Sequence, residues 1–149
     1  RGGAIAHALM QRLRSSNAHT DRVTHLVTQH ASLPTADASE AEVRRWLRRV
    51  GDDHHRDLLR LRLAAARARG GRELPELLAF IRRLREIRRG APVLSVGDLA
   101  IGGADLRSAG IPPGPLYGEI LRDLLERVTD DPSLNSRERL LQIVEEGLG

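Results

Sequence analysis

Cysteine is absent from this 149-residue chain, which excludes disulfide staples, thiolate chemistry and Cys-ligated zinc. Lysine is absent as well, so all 24 basic residues are arginine. Aromatic side chains are almost missing, with one Trp, one Tyr and one Phe. Nor is there a long hydrophobic run. The longest uninterrupted apolar stretch is Leu77 to Ile81, far short of the roughly 20 residues a membrane span needs. No bilayer crossing is therefore expected. The sequence does not open with a basic segment followed by an apolar one, so no secretion signal is read there and a cytoplasmic location is expected.

What is present describes a folded protein. Hydrophobic residues make up 40% of the chain and charged residues 30%, more aliphatic than a disordered chain and suited to one ordinary domain or two small ones. The arginine-only usage has two readings. One is codon choice in a GC-rich genome; the other is the suitability of the guanidinium fork for bidentate phosphate recognition. Position decides between them.

The net charge of +4 hides a strong polarity. Residues 1 to 43 are balanced, with four Arg and four acids. Residues 44 to 89 carry 15 Arg against six acids, and residues 90 to 149 carry five Arg against ten acids. The middle segment thus points to an anionic partner, nucleic acid first and a membrane surface second.

Helical periodicity dominates and no alternating strand is found, which predicts an all-α, two-lobed array. About five helices come first, then a Gly/Pro linker, then short helices and two longer ones. Ile5, Leu9 and Leu13 recur every four residues. Ser15-Ser16-Asn17 offers N-caps for a second helix with Val23, Leu26, Val27 and His30 on one side. Leu33 to Ala36 reads as a loop, and Asp37 with Glu40 as a capping box for a third helix ending at Gly51. Asp52-Asp53 would open a fourth helix, running to Gly70-Gly71, and Pro75 sits in the first turn of a fifth, ending at Gly90. The predicted division is a basic body over 1–89, a linker over 90–97 and an acidic tail over 98–149. Beyond Gly90, Ser95 with Asp98 would cap a short helix, Gly102-Gly103 breaks it, and Pro112, Pro113 and Pro115 lead into a long helix. Asp130-Asp131-Pro132 ends that helix, and Asn135 with Glu138 would cap the last.

On the third helix, with Arg44 as zero, Arg48, Arg45 and Arg49 fall at about 40°, 100° and 140°, whereas Trp46, Val50, Val43 and Leu47 fall between about 200° and 300°. Four arginines are expected on one face. On the fourth helix Arg56, Arg60 and Arg67 lie within about 40° of one another. On the fifth, Arg82, Arg85 and Arg89 flank an apolar arc of Leu77, Phe80, Ile81, Leu84 and Ile87. Like charges at i and i+4 repel by about a few tenths of a kcal/mol, so such clustering needs an offsetting reason. A phosphate-backbone surface supplies one. The candidate RNA-binding residues are Arg44, Arg45, Arg48, Arg49, Arg56, Arg60, Arg82, Arg85 and Arg89.

Aromatic scarcity narrows the partner, because proteins that hold single strands usually stack bases on aromatic rings. Structured A-form RNA, read through shape and backbone, fits better, and DNA is not expected. A membrane surface fits less well, since the apolar faces lack exposed Trp or Phe anchors.

The string Gly110-Ile111-Pro112-Pro113-Gly114-Pro115, with Gly118-Glu119-Ile120-Leu121, is the most distinctive. Together with Ser95-Val96-Gly97-Asp98-Leu99 and Gly103-Ala104-Asp105-Leu106 it resembles the C-terminal region of bacterial CCA-adding tRNA nucleotidyltransferases and the related poly(A) polymerases. Arg12-Leu13-Arg14-Ser15-Ser16-Asn17-Ala18, Val43-Arg44-Arg45 and Leu58-Leu59-Arg60-Leu61-Arg62 agree. The resemblance covers nearly the whole chain. It implies an RNA-binding helical body and tail that hold the acceptor and T arms of tRNA and orient its 3′ end toward a catalytic head. The family's head carries a Gly-Ser loop and paired metal-binding aspartates, and neither pattern occurs here. The sequence is therefore expected to begin beyond the head. Magnesium and nucleoside triphosphates would belong to that head, on the same or a separate chain, along with the choice between CCA, CC, A and poly(A) addition. No cofactor, metal ligand or catalytic residue is expected within these residues.

Two other readings compete with this one. One is a helical protein-interaction module docking its Arg faces on an acidic partner or a separate catalytic subunit. The other is a metal-dependent HD phosphohydrolase, which some members of the family carry in this region. That site needs a His-Asp pair, which is absent, and a later Asp where this chain has Ala65. His54-His55 point about 100° apart and His25 and His30 about 140° apart, poor geometry for a shared metal.

Overall fold

The computed structural model describes residues 2–51 and 53–148, without the Leu148 side chain. Asp52, half of the expected Asp52-Asp53 helix start, lies outside the described residues. Eight α-helices occur among them: α1 Gly2–Arg12, α2 Asn17–Gln29, α3 Glu40–Val50, α4 His55–Ala68, α5 Leu74–Arg89, α6 Gly103–Ser108, α7 Leu116–Asp130 and α8 Arg137–Leu148. Short 3-10 turns cover Val96–Asp98 and Pro132–Leu134. The described residues contain no strand, so the fold is all-α. None of these helices is long and apolar enough to cross a membrane. The chain divides into two compact units, residues 1–86 and 87–149.

In the first unit, α1 and α2 pack antiparallel through small residues rather than through the aliphatic stripe. Gly3 is buried, and a Cβ there would collide with Thr28 Oγ1. Ile5, Leu9 and Leu13 instead face solvent at 65%, 50% and 66% exposure. A glycine contact allows close approach only on the side that carries it, and this turns the fourfold aliphatic repeat outward. Ser16 caps α2, accepting from the His19 amide at 3.3 Å.

The cap of α3 lies two residues beyond the expected one. Ser39 and Glu42, not Asp37 and Glu40, form the reciprocal box, with Ser39 N to Glu42 Oε2 at 2.7 Å and Glu42 N to Ser39 Oγ at 3.2 Å. Asp37 is engaged locally, its carboxyl held below the usual range chiefly by a hydrogen bond from the Thr35 side chain. Gly51 closes α3 at φ 86°, a conformation that costs little only for glycine. Along α3 the side chains of Val43, Trp46, Leu47 and Val50 are buried, each worth roughly 1.5–3 kcal/mol of transfer from water. Trp46 meets Phe80 of α5 edge-to-face, with centroids 5.6 Å apart.

The second unit is built round Leu99, Ile101, Leu106, Ile111, Leu124, Val128, Leu140 and Val144. Asp98 Oδ2 gathers the amides of Leu94 and Ser95 at 3.1 and 2.8 Å. Val93 is buried in this core, so the stretch predicted as a linker is packed. The proline string is a rigid turn into α7, braced by the Tyr117 hydroxyl donating to the Ile111 carbonyl at 3.0 Å. Asn135 does not cap α8; its side chain accepts from Ala100 N at 2.9 Å and donates to the Asp98 carbonyl at 3.1 Å. Ser136 takes the capping position, its hydroxyl accepting from the Arg139 amide at 3.4 Å.

Candidate nucleic-acid interface

The first turn of α3 is fixed by the Ser39–Glu42 box, and its last by Gly51, so the arginines between them have set directions. Arg45 and Arg49 are exposed and Arg48 is half-buried. Arg49 reaches the Ser32 carbonyl at 3.4 Å. Arg44 departs from the expected face. It is buried at 6% exposure and pairs with Glu40 at 3.0 Å. The buried arc of α3 is wider than its apolar arc, and Arg44, about 60° beyond Leu47, falls inside it. Arg44 is thus a packing residue whose long stem lies under neighbouring chain. The exposed basic face of α3 contracts to Arg45, Arg49 and the half-buried Arg48.

On α4, Arg56 and Arg60 are both exposed. Asp57, between them, receives a hydrogen-bonded ion pair from Arg22 of α2 and a longer one from Arg60 at 3.4 Å. The Arg22 guanidinium holds the Asp57 carboxyl below the ordinary carboxylate range and is itself pushed up. On α5, Arg82, Arg85 and Arg89 are exposed along one edge while Leu77, Phe80, Ile81 and Leu84 are buried. Arg83 turns inward, donating to the Ala36 carbonyl at 3.0 Å. Among the described residues Arg56, Arg82, Arg85 and Arg89 carry no acidic partner. Hydrated, unpaired guanidiniums in rows present a repulsive field that phosphate oxygens relieve.

Two of the histidines make structural hydrogen bonds. His25 Nε2 donates to the Val50 carbonyl at 2.7 Å, capping the end of α3, and its ring lies 4.8 Å from that of His54. His30 Nδ1 donates to the Val27 carbonyl at 2.6 Å. The two His25 contacts join residues 25 and 29 positions apart, beyond the reach of any spacing rule. Among the described residues no three His, Asp or Glu side chains gather to hold a metal.

An all-helical chain with arginine rows and an acidic second unit is thus defined by fold and surface. The family model for tRNA nucleotidyltransferase domain 2 matches residues 3–144. The chain belongs to that family. Neither curated proteins nor solved structures yield a match.

Proposed function

We propose that the basic helices bind tRNA through its phosphate backbone and position its 3′ end for a nucleotidyltransferase head carried on the same or a separate chain. The supporting observation is the set of exposed arginines without acidic partners, Arg56, Arg82, Arg85 and Arg89, beside the exposed Arg45, Arg49 and Arg60. Guanidinium forks take phosphate oxygens in pairs, and such contacts set register without reading bases. Membership of a tRNA nucleotidyltransferase family supports tRNA as the RNA in question. On this reading the head supplies magnesium, nucleoside triphosphate and the choice of CCA or poly(A) addition, and the protein works in the cytoplasm.

A second reading has one observation in its favour. The exposed Ile5 and Leu9 on α1, with Leu13 just past its end, form the kind of apolar surface that docks protein, and an interaction module would use the Arg faces on an acidic partner. The two separate in one experiment. The variant R45A/R49A/R82A/R85A, all at exposed sites, should lose tRNA binding in a filter assay while melting at an unchanged temperature. Unchanged affinity would leave the protein-docking reading in possession of these side chains.

A further inference from the structure

The end of α4 carries charge that the sequence reading did not place in the interface. Arg67 and Arg72 are exposed and, among the described residues, have no acidic partner. The nearby carboxylate, Glu73, is already held by Arg69 at 3.0 Å and Arg62 at 3.6 Å. Between the two free guanidiniums the chain turns through Gly70 and Gly71, at φ 85° and 76°. A Cβ on Gly70 would meet nothing within 4 Å, so at Gly70 the turn presents bare backbone to open space, a shape that lets another backbone come close.

We infer that α4 and this turn form one continuous rail for an RNA strand, with Arg56, Arg60, Arg67 and Arg72 each contacting phosphate. The inference rests on the RNA-binding reading and extends its footprint. Arg56, Arg60 and Arg67 share one face within about 40°, and the first and last are about 16 Å apart along the axis. All three are exposed, the Arg60 side chain at 79%. Asp57, the carboxylate beside the row, is engaged by Arg22 and touches Arg60 only at 3.4 Å. The row runs along one helix and each of its arginines is exposed, which suits lengthwise contact with a backbone better than a point contact with one anion. Because the groups offered are guanidiniums without a base-reading partner, the rail follows the backbone and is indifferent to sequence.

Filter binding of tRNA to the full chain, at several salt concentrations, tests this with three proteins. Wild type is compared with R67A/R72A and with R107A/R139A, which removes the same charge from exposed positions in the acidic unit. R67A/R72A should bind more weakly, and its plot of log affinity against log salt should be shallower by about two, one unit per lost phosphate contact. R107A/R139A should keep the wild-type slope. An unchanged slope in R67A/R72A, beside a wild type that binds, overturns the rail and leaves the RNA reading standing. An equal drop in both variants overturns it too, since net charge would then be the cause. A wild type that fails to bind removes the RNA reading itself.

Discussion

Glu40 and Arg44, one turn apart on α3, are joined by a 3.0 Å ion pair in which the guanidinium side chain is 8% exposed and the carboxylate 64%. The pair therefore acts from opposite sides of a boundary, with the positive charge inside. Removing Arg44 removes packed stem atoms and a buried charge together. Arg44→Ala should lower stability by about 2 kcal/mol, while R45A/R49A on the same helix should leave stability within about 0.5 kcal/mol and weaken tRNA binding. Chemical denaturation of both variants decides. Equal stability of R44A and wild type would return Arg44 to the surface.

Gly3 gives a second test of packing. A methyl group there collides with Thr28 Oγ1 across the α1–α2 contact, so Gly3→Ala should cost about 1–3 kcal/mol, the usual range for overpacking. The loss should be partly relieved in G3A/T28A, because the colliding atom is gone. Additive losses in the double-mutant cycle would show that Gly3 matters for another reason.

Asn135 is expected to hold the second unit together. Its amide bridges Ala100 N and the Asp98 carbonyl, groups nearly forty residues away in sequence. Asn135→Ala should destabilise by about 1–3 kcal/mol, the cost of leaving such groups unpaired. Amide hydrogen exchange at Ala100 should speed up, and protection unchanged there would argue that the bridge is dispensable.

Asp57 predicts a pH dependence with a definite sign. Its carboxyl is held below the ordinary value chiefly by the Arg22 hydrogen bond. A depressed folded value means that the stabilisation is fully present above the unfolded carboxyl's pKa of about 3.9 and is lost as pH falls through the folded value. Asp57→Asn should therefore be less stable than wild type at pH 7, with the difference shrinking below about pH 4. A difference constant from pH 7 to pH 3, read from thermal melts, would contradict the pairing.

Much of the fold was legible because helix ends are written locally. Gly51, Pro75, Gly90 and the Pro112–Pro115 string each stop or start a helix where their backbone preferences say they should. The same local rules misplaced two caps, because Asp37 and Asn135 found other partners: the Thr35 side chain for one, Ala100 and Asp98 for the other. The arginine rows on α4 and α5 were legible from angular spacing alone. Arg44 was not, since whether a residue at the margin of an apolar arc is covered depends on neighbours distant in sequence. For the same reason the His25 cap on α3 and the outward-facing Ile5, Leu9 and Leu13 left no trace in the spacing. Gly3, which turns that stripe outward, reads in sequence as merely one glycine of fourteen.

The central claim is that exposed arginines bind RNA phosphates, and counterion release makes that claim directly measurable. Affinity of the full chain for tRNA should fall linearly in log–log form between about 50 and 200 mM salt, with a slope approaching one per engaged phosphate. A slope of several units, lost in step with the α3, α4 and α5 arginine substitutions, is the predicted result. Absence of tRNA binding at 50 mM salt, or binding insensitive to salt, would contradict it.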